Sequence, residues 1–209
     1  MERPADENWY QHSVRSGTQP RPSNVSPSVG NSRVILGVVL AGGMSTRFGS
    51  DKALAELEGR TLLSRAVDAL SGWCELVVIA GRETGPAPCI PDWPRPGMGP
   101  LAGIAAGLRH AQDLDYSSIL TCGVDSPGLP ADLLDLLSPA PAYVAQQPVI
   151  GHWPASAAGS ASTILEGHGR HSMFAFAEAV KGRAVALALP PPNINTQADL
   201  QTCKGASAD

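Results

Sequence analysis

Three glycines and two cations are packed into thirteen residues near the first third of the chain, LAGGMSTRFGSDK, Leu40 to Lys52. Gly42, Gly43 and Gly49 allow a close backbone approach and inward-pointing N–H groups. Arg47 offers a planar fork of donors and Lys52 a compact point charge. Together they suit a triphosphate. Charge-assisted hydrogen bonds contribute roughly 1.5–3 kcal/mol each, so a few of them reach micromolar affinity. The loop is neither a G-x-x-x-x-G-K-[ST] phosphate loop nor a G-x-G-x-x-G dinucleotide fingerprint, which disfavours P-loop GTPases, kinases and dehydrogenases. An ordinary glycine-rich turn with surface charges is the competing reading of the glycines alone.

A second chemical feature is Asp125, just after the buried strand expected over SSILTC. A hard carboxylate at a strand end suits Mg²⁺, which takes one or two carboxylates plus phosphate oxygens and water. Alternatively, Asp125 only shapes the turn before Pro127. The loop PDWPRPGMGPLAG carries Asp92, seven residues before Gly99, where a helix start can offer N–H groups to a ribose or phosphate. Asn193 and Asn195 stand in NINTQADL, and Asn195 is expected to face the site while Thr196 caps a helix. In GHGRHSMF, His168 and His171 lack a third ligand and are assigned no metal, while Arg170 is a candidate contact for an acceptor's phosphate.

The elements around these residues read as alternating strands and helices. VILGVVL is a short apolar run expected of a strand buried on both faces, followed by helical spacing at Leu62, Leu63, Ala66, Val67 and Leu70. ELVVIA is the next strand, PLAGIAAGLRHAQ a helix with Pro100 in its first turn, SSILTC a buried strand, and PADLLDLL a helix with Pro130 near its start. AYVAQQ and RAVALAL are further strand candidates, with two short helices between them over residues 161–181 around Gly167 and Gly169. Thr196 and Asp199 form a capping-box pattern at the last helix. The expected fold is α/β, three-layered and Rossmann-like, with a mostly parallel sheet and its ligand beyond the carboxyl ends of the strands.

LAGGMSTRFGSDKAL resembles the signature of the molybdenum cofactor guanylyltransferases, within the nucleotidyltransferase fold shared with sugar-nucleotide synthetases. GPLAGI, GVDSPGLP and NINTQADL agree in order and spacing, so the resemblance covers about residues 34–203. It implies GMP transfer from GTP to molybdenum-molybdopterin, giving molybdopterin guanine dinucleotide and pyrophosphate. Leu40, Ala41, Gly42, Gly43, Lys52, Asp92, Gly99 and Asp125 are then nucleotide-binding positions, and Asp125 holds Mg²⁺. Arg47, Lys52 and Asp125 carry catalysis, while Asn195 and Arg170 meet the acceptor. The sequence departs from the family in three places: Val124 precedes Asp125, Gln197 stands where proline is usual, and the second strand ends in VIAG without the asparagine some members carry. LAGG and GPLAG favour the guanylyl-transferring branch over the cytidylyl branch, which tends towards LAAG. The alternatives are cytidylyl transfer, activation of a sugar phosphate, or a non-catalytic nucleotide-binding module.

The totals set the bounds. Of 209 residues, 43% are hydrophobic and 16% charged, enough to form a sizeable core. A net charge of −4 and a pI near 5.7 argue against nucleic acid or an anionic membrane as partner, so an anionic ligand needs a local site. Cys74, Cys89, Cys122 and Cys203 form no C-x-x-C pair and read as free thiols in a reducing cytosol. No run approaches the roughly 18 apolar residues that span a membrane. The expected protein is cytoplasmic and monomeric, with recipient molybdoenzymes or other cofactor-biosynthesis proteins as candidate partners. Residues 1–32 read as a disordered Ser/Pro-rich leader or the product of a start codon set too far upstream, residues 33–204 as the domain, and 205–209 as a flexible tail.

Overall fold

The computed structural model describes residues 34–43 and 48–206. The expected leader, Arg47 and the last three residues of the expected tail lie outside the described residues.

The apolar run after Val34 forms β1 (Ile35–Leu40), whose side chains alternate between two cores. Leu36 and Val38 join one cluster; Ile35 and Val39 join the other. Two-residue periodicity therefore decides which layer each side chain serves. A hairpin, β2 (Glu56–Leu57) and β3 (Arg60–Thr61), leads into α1 (Leu62–Ser71), where Thr61 Oγ1 accepts the Ser64 N–H at 3.1 Å. The hairpin turn has positive φ at both Glu58 and Gly59, as a two-residue turn between twisted strands requires.

The chain continues through β4 (Leu76–Ala80), β5 (Cys89–Ile90), α2 (Pro100–Asp113), β6 (Ser118–Gly123) and α3 (Leu133–Leu136). It then forms β7 (Ala142–Val144), β8 (Gln147–Pro154), α4 (Ala158–Glu166), α5 (Met173–Ala179), β9 (Arg183–Val185) and α6 (Gln197–Ala206). The main sheet runs β5-β4-β1-β6-β8-β7-β9. Every pairing is parallel except the two made by β8. α1 and α3 pack on one face, and α2, α4 and α5 on the other, giving the three layers expected.

Residues Leu101–Leu108 of α2 are all buried, and their Ala and Gly content lets the helix lie between the sheet and α4 with α5. A helix apolar all round belongs in such an interior position. Trp153, wholly buried, packs against Phe176 and stacks on Tyr143. Its indole N–H donates to Thr121 Oγ1 at 3.2 Å, which satisfies the ring's polar edge.

Three expectations are corrected. AYVAQQ is not one strand: β7 ends at Val144, and Gln147 already begins β8. The helix expected over PADLLDLL is a single turn at Leu133–Leu136, and RAVALAL pairs only over Arg183–Val185. The whole of β8 was unanticipated. Pro148 and Gly151 break its apolar pattern, and the ladder slips between Tyr143 and Val144, so the prolyl residue sits in an irregular stretch that needs no N–H.

Candidate functional site

β1 is the first strand of the sheet, and the chain leaves it on one side for β4 and returns on the other for β6. This reversal opens a crevice at the carboxyl ends of the strands. Leu40 pairs with Ala80 on one side and Gly123 on the other, so three strands stop at one level. All three residues line a cleft of about 280 Å³, near the small end of ligand-site sizes. Its wall includes Ala41, Gly42, Gly43, Lys52, Asp92, Gly99 and Asp125, so the expected nucleotide-binding positions converge.

Lys52 begins a single 3-10 turn, Lys52–Leu54, at the exit of the glycine loop. Its ammonium is 3.0 Å from Asp125 Oδ2 and donates to Asn195 Oδ1 at 3.5 Å. The side chains of Lys52 and Asp125 are 13% and 26% exposed, so this pair faces the cleft more than bulk water. An ammonium has three donors, and two of them have partners here among the described residues.

Asp125 is tied down through its main chain, whose carbonyl accepts the Ile194 N–H at 2.9 Å. Next to it, the Ser126 hydroxyl donates to Gln147 Oε1 at 2.6 Å, and Gln147 Nε2 donates to the Pro191 carbonyl. The unanticipated β8 thus helps fix the aspartate turn, and its Val149 also lines the cleft. Phe48, Leu57, Leu62, Ile194 and Leu200 form a small separate core beneath. It joins the end of the glycine loop to α6 and brings NINTQADL to Lys52. Thr196 is the cap expected: its Oγ1 accepts the Asp199 N–H, and Asp199 Oδ2 accepts the N–H groups of Asn195 and Thr196.

Asp92 lies across the cleft and, among the described residues, receives no hydrogen bond from the protein. A side chain at Gly42 would press on Asp92 Oδ2 at 2.9 Å, so the bare backbone of the glycine loop sits against this carboxylate. Burial raises its pKa above the ordinary carboxylate range. The Trp93 N–H donates to the Ala102 carbonyl, and Arg109 lies 4.7 Å over the Trp93 ring, fixing this loop against α2. Gly99 (φ +78°) turns the chain into α2, whose Pro100 and Gly103 complete the wall. The positive end of a 14-residue helix therefore faces the cleft.

Arg170 is exposed on the segment between α4 and α5 and is not among the residues lining the cleft; His168 is exposed beside it. His171 hydrogen-bonds the Gly167 carbonyl. Asn193 is exposed next to the site segment. No group of three or more His, Cys, Asp or Glu side chains with the geometry of a metal site occurs among the described residues. No disulfide joins the four cysteines; burial pushes the Cys74 thiol up to about 12 and that of Cys122 higher still, which leaves both inert. No described helix is long and apolar enough to cross a membrane.

Two site residues escaped the sequence reading. Asp51 lines the cleft, and Arg82 grips it from the end of β4 with Nη1–Oδ1 3.1 Å and Nη2–Oδ2 2.8 Å. The available signal was only the position of Asp51 beside Lys52 and of Arg82 just past a strand end.

Residues 37–183 match the MobA-like NTP transferase domain family. The chain is 38% identical over 182 residues to a molybdenum cofactor guanylyltransferase from Acidiphilium cryptum, covering 80% of this chain and 92% of that one. It is 33% identical over 190 residues to a probable molybdenum cofactor guanylyltransferase from Rhodopirellula baltica, covering 79% and 90%. The crystal structure of molybdopterin-guanine dinucleotide biosynthesis protein A from Archaeoglobus fulgidus shares the fold, with a TM-score of 0.67 at 21% identity over 83% of this chain and 98% of that one. With its strand-end cleft built from the same segments that match in sequence, this chain belongs to the MobA-like NTP transferase family of nucleotidyltransferases.

Proposed function

We propose that the protein transfers GMP from GTP to molybdenum-molybdopterin, releasing pyrophosphate and forming the guanine dinucleotide, with Mg²⁺ required. The observation that carries this reading is the meeting of Lys52, Asp125 and Asn195, drawn from three distant segments to the end of β1 and β6. The names of the relatives at 38% and 33% identity supply the guanylyl group and the acceptor class.

The donor set suits Mg²⁺. A side chain at Gly123 would collide with Asp125 Oδ1, so the missing Cβ leaves that oxygen its space while Oδ2 faces Lys52. One protein carboxylate is enough where phosphate oxygens and water supply the remaining ligands. Asp125 would hold the ion, which when bound neutralises charge on the phosphates.

The protein's own residues position and polarise. A phosphate oxygen of the acceptor attacks the α-phosphorus of GTP; that P–O bond forms as the bond to the β-bridging oxygen breaks, and the electron pair leaves with pyrophosphate. Lys52 donates to the oxygens that gain charge, helped by the α2 N-terminus and the glycine-loop N–H groups. Asp92 accepts hydrogen bonds from the nucleotide, which replace the water it loses on burial. Asn195, beside Lys52, contacts the acceptor. Such transfer requires no covalent nucleophile, only reactants held in line.

The test is pyrophosphate release by the purified protein with Mg²⁺, molybdenum-loaded molybdopterin and each nucleoside triphosphate in turn. Release with GTP alone, abolished in Asp125→Ala and lowered on the order of 10²-fold in Lys52→Ala, is the expected result. Release with CTP would overturn the base assignment. Silence with every triphosphate from folded protein would overturn the reading altogether.

A further inference from the structure

We propose that Arg82 is a positioning residue for the transfer: by clasping Asp51 it fixes the turn that carries Lys52. The geometry ties one rigid element to one loop. Gly81 and Arg82 follow β4, whose end is held on both sides, with the Ala41 N–H on the Ala80 carbonyl and the Gly81 N–H on the Ile90 carbonyl, each at 3.0 Å. Asp51 belongs to the glycine loop and immediately precedes Lys52. Its carboxylate does two things at once. Oδ1 accepts the Ala53 N–H at 3.1 Å and so caps the Lys52–Leu54 turn, while both oxygens take the Arg82 fork. Bidentate pairing fixes orientation as well as distance, so the carboxylate plane, the capped turn and the root of the Lys52 side chain move together.

A second contact closes the other end of the loop on the same strand end. Gly81 has φ +83°, and a side chain there would stand 2.5 Å from Gly42 Cα. The glycine loop therefore touches residues 81 and 82 twice, once where it begins at Gly42 and once where it ends at Asp51. Arg82 Nε is buried and, among the described residues, has no hydrogen-bond partner. The Arg82 side chain is held in the Asp51 fork at 19% exposure.

The inference rests on the reading of Lys52 as the phosphate-handling cation, and the experiment separates the two. Asp51→Asn keeps an oxygen to cap Ala53 but loses the charge for Arg82. Arg82→Gln removes the fork, and Arg82→Lys keeps one charged donor. In the full-length protein, amide exchange at Ala53 and Ala55 reports the turn without any reaction. The turnover number and the KM for GTP report its use.

If the clasp positions Lys52, Asp51→Asn and Arg82→Gln both speed exchange at these amides and both lower kcat, by roughly 10-fold to 100-fold as for a misplaced catalytic group. The double variant is no worse than either single one, and Arg82→Lys recovers part of the turnover. Unchanged exchange in Arg82→Gln would overturn the clasp. So would opposite effects, with Arg82→Gln raising KM and Asp51→Asn lowering it, since Arg82 would then contact phosphate directly. Should the wild type release no pyrophosphate with any triphosphate, the proposed function falls, and amide exchange still decides whether Arg82 sets the turn.

Discussion

Asp92 poses the clearest conflict between stability and function in the cleft. Burial raises its pKa, so folding disfavours its charged form. A carboxyl with a raised folded pKa favours the fold below its unfolded pKa, and that contribution is lost as pH rises through the raised value. Compared with Asp92→Asn, the wild type should therefore lose ground in urea midpoint on going from about pH 4 to about pH 6, and remain behind at neutral pH. The same variant should bind GTP roughly 10-fold to 100-fold more weakly, the equivalent of a lost charge-assisted hydrogen bond. Equal midpoints at all pH values would mean that burial of Asp92 carries no penalty. Lys52, Asp125 and Asn195 were legible because each stands in a motif whose residue types match phosphate and metal chemistry. Asp51 and Arg82 were not, because their pairing spans 31 positions and exists only once β4 is laid beside β1.

At the scale of elements, α6 matters because its cap also holds a site residue. Asp199 takes the N–H groups of both Thr196 and Asn195, so the first turn of the helix and the Lys52 contact share one carboxylate. Thr196→Ala removes the reciprocal bond that the Asp199 N–H donates to Thr196 Oγ1, a cap loss of about 1 kcal/mol. A fall in melting temperature of about 2–4 °C is expected for a chain of this length, together with a lower kcat at little change in the KM for GTP. A shift in melting temperature with kcat intact would show that Asn195 does not depend on the cap. The capping box was legible because it is local, as were the strands β1, β4 and β6 with their short, mostly apolar runs. β8 was not, since an antiparallel strand containing Pro148 and Gly151 carries no periodic signal and is fixed by what lies beside it. Yet Gln147 and Val149 of this strand brace the aspartate turn and wall the cleft.

Across the described residues as a whole, the cleft lies where the two main cores meet. Leu40 and Ala80 come from strands whose side chains feed both core clusters, α2 roofs one of them, and the Phe48–Leu200 cluster carries the glycine loop and α6. A nucleotide bound there touches the ends of β1, β4 and β6 and the start of α2, none of which stay together in the unfolded chain. Binding to the folded state alone stabilises by about 2.7 kcal/mol at a ligand concentration 100 times Kd, which corresponds to a rise in melting temperature of roughly 5–10 °C. With a net charge of −4, the general field of the chain does not attract a triphosphate, so the gain must come from the cleft itself. Mg²⁺-GTP should therefore raise the melting temperature, Asp92→Asn should remove about half of that rise or more, and CTP should produce less at equal concentration. An equal rise with all triphosphates would mean that the cleft reads phosphate and ribose but not the base. In that case guanine selection would have to arise at the transfer step, where a misplaced base leaves the α-phosphorus out of line with the acceptor.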